Sequence, residues 1–169
     1  MYKNIRVKIL ATVISVFCLG TIMGQAQSGI DWKSLTEAQE LAEENEKKVM
    51  IFAEAEWCGY CKKMYKEVFP EKAVQDSLEK YFYSVKLDIE SDRKITFNND
   101  LMTEKQLARQ FRVSSTPTFI FLDSGGSIIG GQPGFLPAEI FDKLVAFVGM
   151  DLTGKESFKT YLKKHDVEI

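Results

Sequence analysis

The chain has 169 residues and a formal net charge of −2, with 45% hydrophobic and 27% charged residues. This length suits one domain with a proper core, and the composition is that of an ordinary soluble globular protein. Because the chain is mildly acidic and has no stripe of basic residues, nucleic acid is not expected as a partner.

The first 26 residues have the pattern of an export signal. Three basic residues among the first eight precede Ile9 to Met23, a stretch of fifteen residues without a charge. Gly24-Gln25-Ala26 follows, with small residues at the two positions before the cleavage site that signal peptidase recognises. Fifteen residues are fewer than the ~20 that a helix needs to cross the bilayer core, so a cleaved signal is favoured over a retained membrane anchor. We therefore predict a periplasmic protein that has lost residues 1–26, and Cys18 with them.

The segment from Ser34 to Ala53 predicts a helix followed by a buried strand. Ser34-Leu35-Thr36-Glu37 has the spacing of a capping box, and apolar residues then recur every three or four positions. The run from Lys48 to Ala53 is apolar on both faces, as in a central strand of a sheet. This strand leads directly to two closely spaced cysteines.

Cys58 and Cys61 form a Cys-x-x-Cys pair at the point where the strand gives way to a helical run. The unpaired N–H groups and the dipole of a helix start favour a thiolate, so Cys58 is predicted to be an exposed nucleophile with a lowered pKa. Cys61, one turn into the helix, is predicted to be shielded and to attack a mixed disulfide formed at Cys58. A redox pair is therefore the favoured interpretation.

A structural disulfide and half of a zinc site are the alternatives for this pair. Zinc needs four ligands, and the chain has no second Cys pair and one histidine, His165, far away in sequence. We accordingly predict neither a metal nor a cofactor.

The stretch after the cysteines predicts two helices and a strand. The first helix continues to Phe69 and is interrupted by Pro70, and a second, from Glu71 to Lys80, leads into a strand from Tyr83 to Asp88. Residues 89–102 are less regular, being polar at both ends with a short β-prone centre. This stretch is either an excursion that helps to choose partners or a surface loop without a role.

A second motif follows about fifty residues after the cysteines. Thr103-Glu104-Lys105-Gln106 is another capping box and opens a helix through Phe111, which leads to Val113-Ser114-Ser115-Thr116-Pro117-Thr118-Phe119-Ile120-Phe121. Together with Trp57-Cys58-Gly59-Tyr60-Cys61-Lys62, this segment resembles the thioredoxin superfamily, and in particular exported thioredoxin-related proteins of bacteria. The resemblance covers roughly residues 30 to 149.

The resemblance implies a substrate groove beside the cysteines. The superfamily keeps a cis proline facing its active-site cysteines, so the Thr116-Pro117 bond is expected to be cis, the alternative being a trans proline that starts a strand. A cis bond would let the backbone of Thr116 offer two hydrogen bonds to an extended substrate. Relatives also place a glycine loop along this groove. The predicted substrate-binding residues are Trp57, Tyr60, Thr116, Pro117 and Gly134.

The chain departs from the family in one position near the cysteines. Thioredoxins carry a buried acid six residues before the first active-site cysteine, where it assists proton transfer to the second, and this chain has Phe52 there. Glu54 and, as a weaker candidate, Glu56 are the possible replacements. Both are equally consistent with ordinary exposed residues, and water or Lys62 is the alternative proton carrier.

The remainder of the chain predicts a hairpin and two helices. Phe119 to Leu122 and Ser127 to Gly131 are joined by a Gly-rich turn, and Pro137 suits the first turn of an amphipathic closing helix. Residues 150–169 are predicted to be a C-terminal extension with a short helix. His165 lies in this extension and is not expected to be catalytic.

These elements predict an α/β protein with a thioredoxin fold, in which a central mixed β-sheet has helices on both faces. Open sheets of this class place their sites at the carboxyl ends of central strands, where the two cysteines follow. The predicted domains are a signal peptide (1–26), a thioredoxin-like domain (27–149) and the C-terminal extension (150–169).

Three functions of different classes remain open. The favoured one is an exported thiol:disulfide oxidoreductase that reduces protein disulfides. Trp57 and the Thr116-Pro117 context resemble the reducing branch of the superfamily, but Gly59-Tyr60 also occurs in bacterial disulfide isomerases, so an isomerase or oxidant is an alternative. The others are a module that binds peptides or a partner through a static disulfide, and a copper or zinc carrier.

The favoured function implies two kinds of partner, protein disulfides as substrates and a membrane or periplasmic electron donor. A donor is needed because disulfides persist beyond the inner membrane and a dithiol there must be regenerated. The protein is expected to be a monomer.

Overall fold

A computed structural model describes residues 29–168, so the predicted signal peptide and Cys18 lie outside the described residues. Within residues 29–168 no helix combines the length and hydrophobicity that a membrane span requires. The described elements follow one another as β1 (Trp32–Lys33), α1 (Leu35–Asn45), β2 (Lys48–Glu54), α2 (Gly59–Glu67), α3 (Lys72–Tyr81), β3 (Phe82–Asp88), β4 (Lys94–Phe97), β5 (Asp100–Thr103), α4 (Glu104–Gln110), β6 (Thr118–Leu122), β7 (Ile128–Pro133), α5 (Ala138–Gly149) and α6 (Phe158–Lys164).

The main sheet has five strands in the order β1-β3-β2-β6-β7. β1 and β2 run parallel to β3, whereas β6 runs antiparallel to both β2 and β7. β2 is central and residues 49–53 within it are all buried, as the continuous apolar run predicts. Helices cover both faces of this mixed sheet, which confirms the predicted fold class.

The two faces of the sheet carry different side chains because successive strand residues point to opposite sides. On one face, which we call the aromatic layer, α2, α3 and α5 cover the buried strand residues Phe52, Phe119 and Phe121. Phe69 after α2 and Phe141 of α5 are buried with them, and Trp32 and Tyr65 are partly buried against this layer. On the other face, which we call the aliphatic layer, α1 and α4 cover the buried strand residues Val49, Ile51, Leu87, Ile120 and Leu122, and Leu107 of α4 is buried with them. The two cysteines belong to the aromatic layer.

Residues 89–102 contain a β-hairpin where the sequence indicates only an irregular stretch. β4 and β5 pair antiparallel as a separate two-stranded sheet. The turn places Asn98 and Asn99 at φ of 48° and 70°, a conformation that asparagine tolerates better than most residues. Phe97 is buried in the aliphatic layer, with its ring centroid 5.3 Å from that of Phe111. The hairpin is thus packed against the domain; a role in choosing partners stays a prediction.

Helix starts follow the predicted caps. Thr103 and Gln106 form both hydrogen bonds of a capping box. The Ser34 side chain accepts the N–H of Glu37 as predicted, but the Glu37 carboxylate pairs with Lys33 at 3.1 Å. Observed element ends lie within about two residues of the predicted ones, the usual spread of helix boundaries.

The C-terminal residues pack on α5 through aromatic side chains. Ring centroids of Phe158 and Tyr161 lie 5.4 and 5.3 Å from that of Phe147. The ring of His165 lies 4.4 Å from that of Tyr161, away from the cysteines in sequence and packed within this cluster. A C-terminal helix is confirmed, while the division into domains stays a prediction.

Candidate active site

Cys58 is the N-cap residue of α2, and Cys61 lies in the first turn of that helix. The two form a disulfide, and Cys58 Sγ accepts a hydrogen bond from the backbone N–H of Cys61 at 3.0 Å. This is the predicted arrangement of a sulfur at a helix start. An N–H donor and the positive end of the helix dipole stabilise negative charge on Cys58 Sγ when the disulfide is open.

The burial of Cys58 differs from the prediction. Both cysteines are 2% exposed in the disulfide form, so the prediction of an exposed Cys58 beside a shielded Cys61 is wrong for this state. Cys61 lies on the buried side of α2. The two large hydrophobic side chains beside the disulfide, Trp57 and Tyr60, are each 62% exposed.

An aromatic surface borders the disulfide. The Tyr60 ring centroid lies 5.9 Å from that of Phe135, and Lys63 Nζ lies 4.4 Å from the centre of the Phe135 ring. Phe135 belongs to Pro133-Gly134-Phe135, the segment that the family resemblance places at the glycine loop of the groove. It was not among the predicted substrate-binding residues.

The Thr116-Pro117 peptide bond is cis, as the family resemblance implies. The Pro117 carbonyl accepts a hydrogen bond from the Gly134 N–H at 2.8 Å, so the two predicted loop positions are adjacent. Gly134 has a φ of +90°, which favours glycine. Thr116 Oγ1 is buried and has no hydrogen-bond partner within residues 29–168. The part that these residues take in substrate binding stays a prediction.

Phe52 fills the position at which thioredoxins carry an acid. It is fully buried, with ring centroids of Tyr65 and Phe69 at 5.7 and 5.1 Å. Glu54 lies two residues further along β2 and therefore on the same face of the strand. Glu56 and Lys62, the other candidates for proton transfer, are exposed.

Glu54 is a partly buried acid with a specific hydrogen bond. Its Oε1 accepts the Tyr65 hydroxyl at 3.0 Å. Burial raises the pKa of Glu54 above its usual value; the Tyr65 hydrogen bond and the charge of Lys86 oppose the shift, while Asp88 and Glu104 add to it. Burial, together with the charge of Glu54 and the hydrogen bond to it, also raises the pKa of Tyr65, which keeps its proton at neutral pH.

Lys86 completes this group of polar side chains. Its Nζ lies 5.0 Å from the ring centre of Trp32 and 5.1 Å from that of Tyr65, within the range of cation–π contacts. The sequence analysis did not identify Tyr65 or Lys86. Tyr65 lies four residues after Cys61, and this spacing predicts that the two share one side of the helix. The spacing does not predict the hydrogen bond from Tyr65 to Glu54.

In the part of the chain that the structure describes, no three His, Cys, Asp or Glu side chains cluster as a metal site would require.

The family model of the thioredoxin-like domain matches residues 35–149. A curated relative, the thiol:disulfide interchange protein DsbD of Actinobacillus pleuropneumoniae, is 34% identical over 112 residues, which cover 64% of this chain and 18% of that protein. The chain spans about a fifth of the length of the curated relatives it matches.

Two solved structures of similar fold have moderate sequence identity to the chain. A thioredoxin from Thermus thermophilus matches with a TM-score of 0.59 and 29% identity over 70% of this chain and 86% of its own. A thioredoxin-fold protein from Helicobacter pylori matches with a TM-score of 0.60 and 25% identity over 71% and 84% of the two chains.

Proposed function

The chain belongs to the thioredoxin-like domain family, and on that premise we propose that it is an exported thiol:disulfide oxidoreductase that reduces protein disulfides. The observation that carries the proposal is the Cys58–Cys61 disulfide at the start of α2, where Cys58 Sγ accepts the Cys61 N–H. The similarity to the thiol:disulfide interchange protein DsbD supports the same chemistry.

The first step is attack by Cys58 on a substrate disulfide. The Cys58 thiolate bonds to one substrate sulfur, the substrate S–S bond breaks, and the second substrate sulfur leaves as a thiolate that takes up a proton. Cys58 is assigned as the nucleophile because its sulfur lies at the helix N-cap and receives a backbone hydrogen bond.

The second step resolves the mixed disulfide. The Cys61 thiol loses its proton, its sulfur attacks Cys58 Sγ, and the bond from Cys58 to the substrate breaks. The remaining substrate sulfur leaves as a thiolate and is protonated. Two electrons have then passed from the protein dithiol to the substrate, which leaves as two thiols, and the Cys58–Cys61 disulfide has formed.

The groove beside the disulfide is proposed to hold an extended substrate segment. The backbone of Thr116, next to the cis Pro117, would pair with the substrate main chain as an added strand does. Trp57 and Tyr60 are exposed large side chains next to a reactive pair, and together with Phe135 they offer apolar contact.

The proposed location is the periplasm, because residues 1–26 have the pattern of a cleaved signal. Regeneration of the dithiol there requires a membrane or periplasmic electron donor that reduces the Cys58–Cys61 disulfide. Export is tested by fractionating cells that express the full chain. A periplasmic protein whose amino terminus is Gln27 would support it, and an uncleaved protein in the cytoplasm would refute it.

The activity is tested by insulin reduction with dithiothreitol as the thiol donor, using the chain from Gln27 onward. We expect Cys58→Ser to abolish the catalysed rate, whereas Glu56→Gln, a change at an exposed residue two positions away, leaves it unchanged. Turnover by Cys58→Ser at the wild-type rate would refute the role of Cys58. Cys61→Ala should instead accumulate a mixed disulfide with the substrate, because the resolving thiol is missing.

A redox titration separates this proposal from a static disulfide in a binding module. Equilibration of the Cys58–Cys61 pair with glutathione or dithiothreitol buffers gives its reduction potential. A value in the range of catalytic dithiols, roughly −120 to −270 mV, supports turnover, while a value below about −300 mV indicates a structural bridge.

A further inference from the structure

We propose that Glu54 and Tyr65 together replace the acid that is missing at Phe52: Glu54 accepts the proton of Cys61, and Tyr65 is the positioning residue that holds the Glu54 carboxylate. This inference rests on the proposed dithiol chemistry and adds to it the group that receives the proton in the resolving step.

The position of Glu54 on β2 favours this role. Phe52 and Glu54 project from the same face of the strand, about 7 Å apart along it, because side chains alternate and each residue advances about 3.3 Å. The shift from one to the other is toward the carboxyl end of β2, where the chain continues to Cys58. A carboxylate at Glu54 is therefore on the side of the sheet where the cysteines lie and nearer to their end of the strand.

Tyr65 connects the Glu54 carboxylate to α2, the helix that carries the cysteines. Tyr65 lies four residues after Cys61 on α2, so the two share one side of the helix. The Tyr65 ring packs against Phe52, Phe69 and Trp32, with centroids 5.7, 5.3 and 6.3 Å away. This packing fixes the ring, and its hydroxyl donates to Glu54 Oε1 at 3.0 Å. At the position where thioredoxins carry an acidic residue, Phe52 thus provides an apolar ring against which Tyr65 packs.

The electrostatic surroundings of Glu54 also favour this role. Burial raises the pKa of Glu54, with smaller increases from Asp88 and Glu104, while Tyr65 and Lys86 favour the ionised form. A carboxylate whose pKa lies closer to neutral pH is a better base for a thiol than an ordinary exposed carboxylate.

The proton balance of the resolving step is then complete. As Cys61 Sγ forms its bond with Cys58 Sγ, the thiol proton passes to the Glu54 carboxylate, which becomes a neutral acid. The substrate thiolate leaves with the electron pair of the broken S–S bond. Glu54 returns its proton to that thiolate or to solvent, and the Tyr65 hydroxyl stays protonated throughout.

The experiment isolates the resolving step. The reduced protein is mixed with 5,5′-dithiobis(2-nitrobenzoate), and stopped-flow absorbance follows the first thionitrobenzoate released by attack of Cys58 and the second released by attack of Cys61. We expect Glu54→Gln to slow the second phase by about 10²-fold near pH 7. This is the low end of the rate contribution that a general base usually makes, because the site is only half-buried. The first phase should be unchanged.

Matched variants distinguish proton transfer from a structural effect. Glu56→Gln removes the same charge two residues away and should leave both phases at wild-type rates. Glu54→Asp should restore part of the second phase. Tyr65→Phe keeps the ring packing and should shift the Glu54 inflection in the pH profile of the second phase to higher pH, because it removes a hydrogen bond that favours the ionised carboxylate.

The outcomes separate this inference from the proposed function. A second phase that is equally fast in Glu54→Gln and wild type from pH 5 to 9 overturns the inference while the dithiol chemistry stands. An inflection that does not move in folded Tyr65→Phe overturns the role of Tyr65. If the wild-type protein shows no first phase, the proposed function itself fails.

Discussion

The aromatic and aliphatic layers are built on the same strands but differ in what they can support. β6 shows this within a few residues, since Phe119 and Phe121 enter the aromatic layer while Ile120 and Leu122 enter the aliphatic one. The aliphatic layer is closed by α1, α4 and the β4–β5 hairpin. The aromatic layer holds the disulfide, and at its edge lie Tyr65 and Lys86.

The difference follows from the chemistry of aromatic side chains. A tyrosine contributes a buried ring and a hydroxyl that needs a partner, and aromatic faces attract cations such as Lys86. In the aromatic layer Tyr65 makes both contacts, one with Glu54 and one with Lys86. This is also the layer in which the two cysteines lie.

The largest expected effects on the free energy of unfolding come from truncating one buried side chain in each layer, at adjacent residues of β6. Phe119→Ala should lower the free energy of unfolding by about 3–5 kcal/mol and Ile120→Ala by about 2–5 kcal/mol, because both side chains are buried. Urea unfolding measures both. At a temperature where both variants are folded, we expect insulin reduction to slow in Phe119→Ala alone. Equal slowing in Ile120→Ala would show that the layers do not differ in function.

The next effect concerns the two sulfurs of the aromatic layer. In the reduced protein near pH 7, iodoacetamide should alkylate Cys58 about 100-fold faster than Cys61, a difference of about 2.7 kcal/mol in barrier. The reason is that the Cys58 thiolate is stabilised at the helix N-cap, so its alkylation rate should titrate below the usual thiol pKa of ~8.5. Mass spectrometry of labelled peptides measures the ratio. Equal labelling, or faster labelling of Cys61, would reverse the assignment of the nucleophile.

A smaller effect is expected in the hairpin that borders the aliphatic layer. Asn99 has a φ of 70°, so a β-branched residue is strained there, and Asn99→Val should cost about 1–2 kcal/mol of stability. Asn99→Gly, which suits this φ, is the matched control and should cost less. Insulin reduction should be unchanged in both. Loss of turnover in folded Asn99→Val would instead favour a role of the hairpin in contacting partners.

The smallest effect is the pH dependence of stability at the polar edge of the aromatic layer. Burial raises the pKa of Glu54 in the folded protein above the unfolded value of about 4.5. The ionised carboxylate thus destabilises the native state above the folded pKa, and this cost disappears below the unfolded pKa. Glu54→Gln should therefore raise the free energy of unfolding at pH 7, by less than about 1 kcal/mol because solvent screens the half-buried group.

The increase in the free energy of unfolding caused by Glu54→Gln should become smaller as the pH falls through the pKa of Glu54 in the folded protein and then through its pKa in the unfolded protein. Thermal unfolding at pH 7 and pH 4 checks the difference, with Glu56→Gln as the control. A gain that is larger at pH 4 than at pH 7 would contradict the raised pKa of Glu54.

Much of the fold was predictable because its signals are local. The capping residues Ser34 and Thr103 cap helices, the apolar run from Lys48 is the central strand, and Cys58 lies at a helix start. Each of these depends on residues within one or two turns of each other. The cis bond before Pro117 was expected from family resemblance and is present.

The hairpin marks the limit of local signals. Asn98-Asn99 is a turn sequence that tolerates positive φ, but the flanking runs are only four residues each, too short to be distinguished from an irregular loop. Isolated two-stranded hairpins are only marginally stable, and this one is packed on the domain through Phe97, which is buried against Phe111. That contact joins residues far apart in the chain.

The sequence by itself determined the reactive pair, its place at a helix start and the absence of the usual acid, since all of these are properties of neighbouring residues. Only the tertiary structure decided that Cys58 is buried in the disulfide form, that Phe135 meets Tyr60, and that Glu54 bonds Tyr65. Those contacts depend on how β2, α2 and the loop after β7 pack together. Burial and side-chain pairing arise from that packing, and no spacing along the chain specifies them.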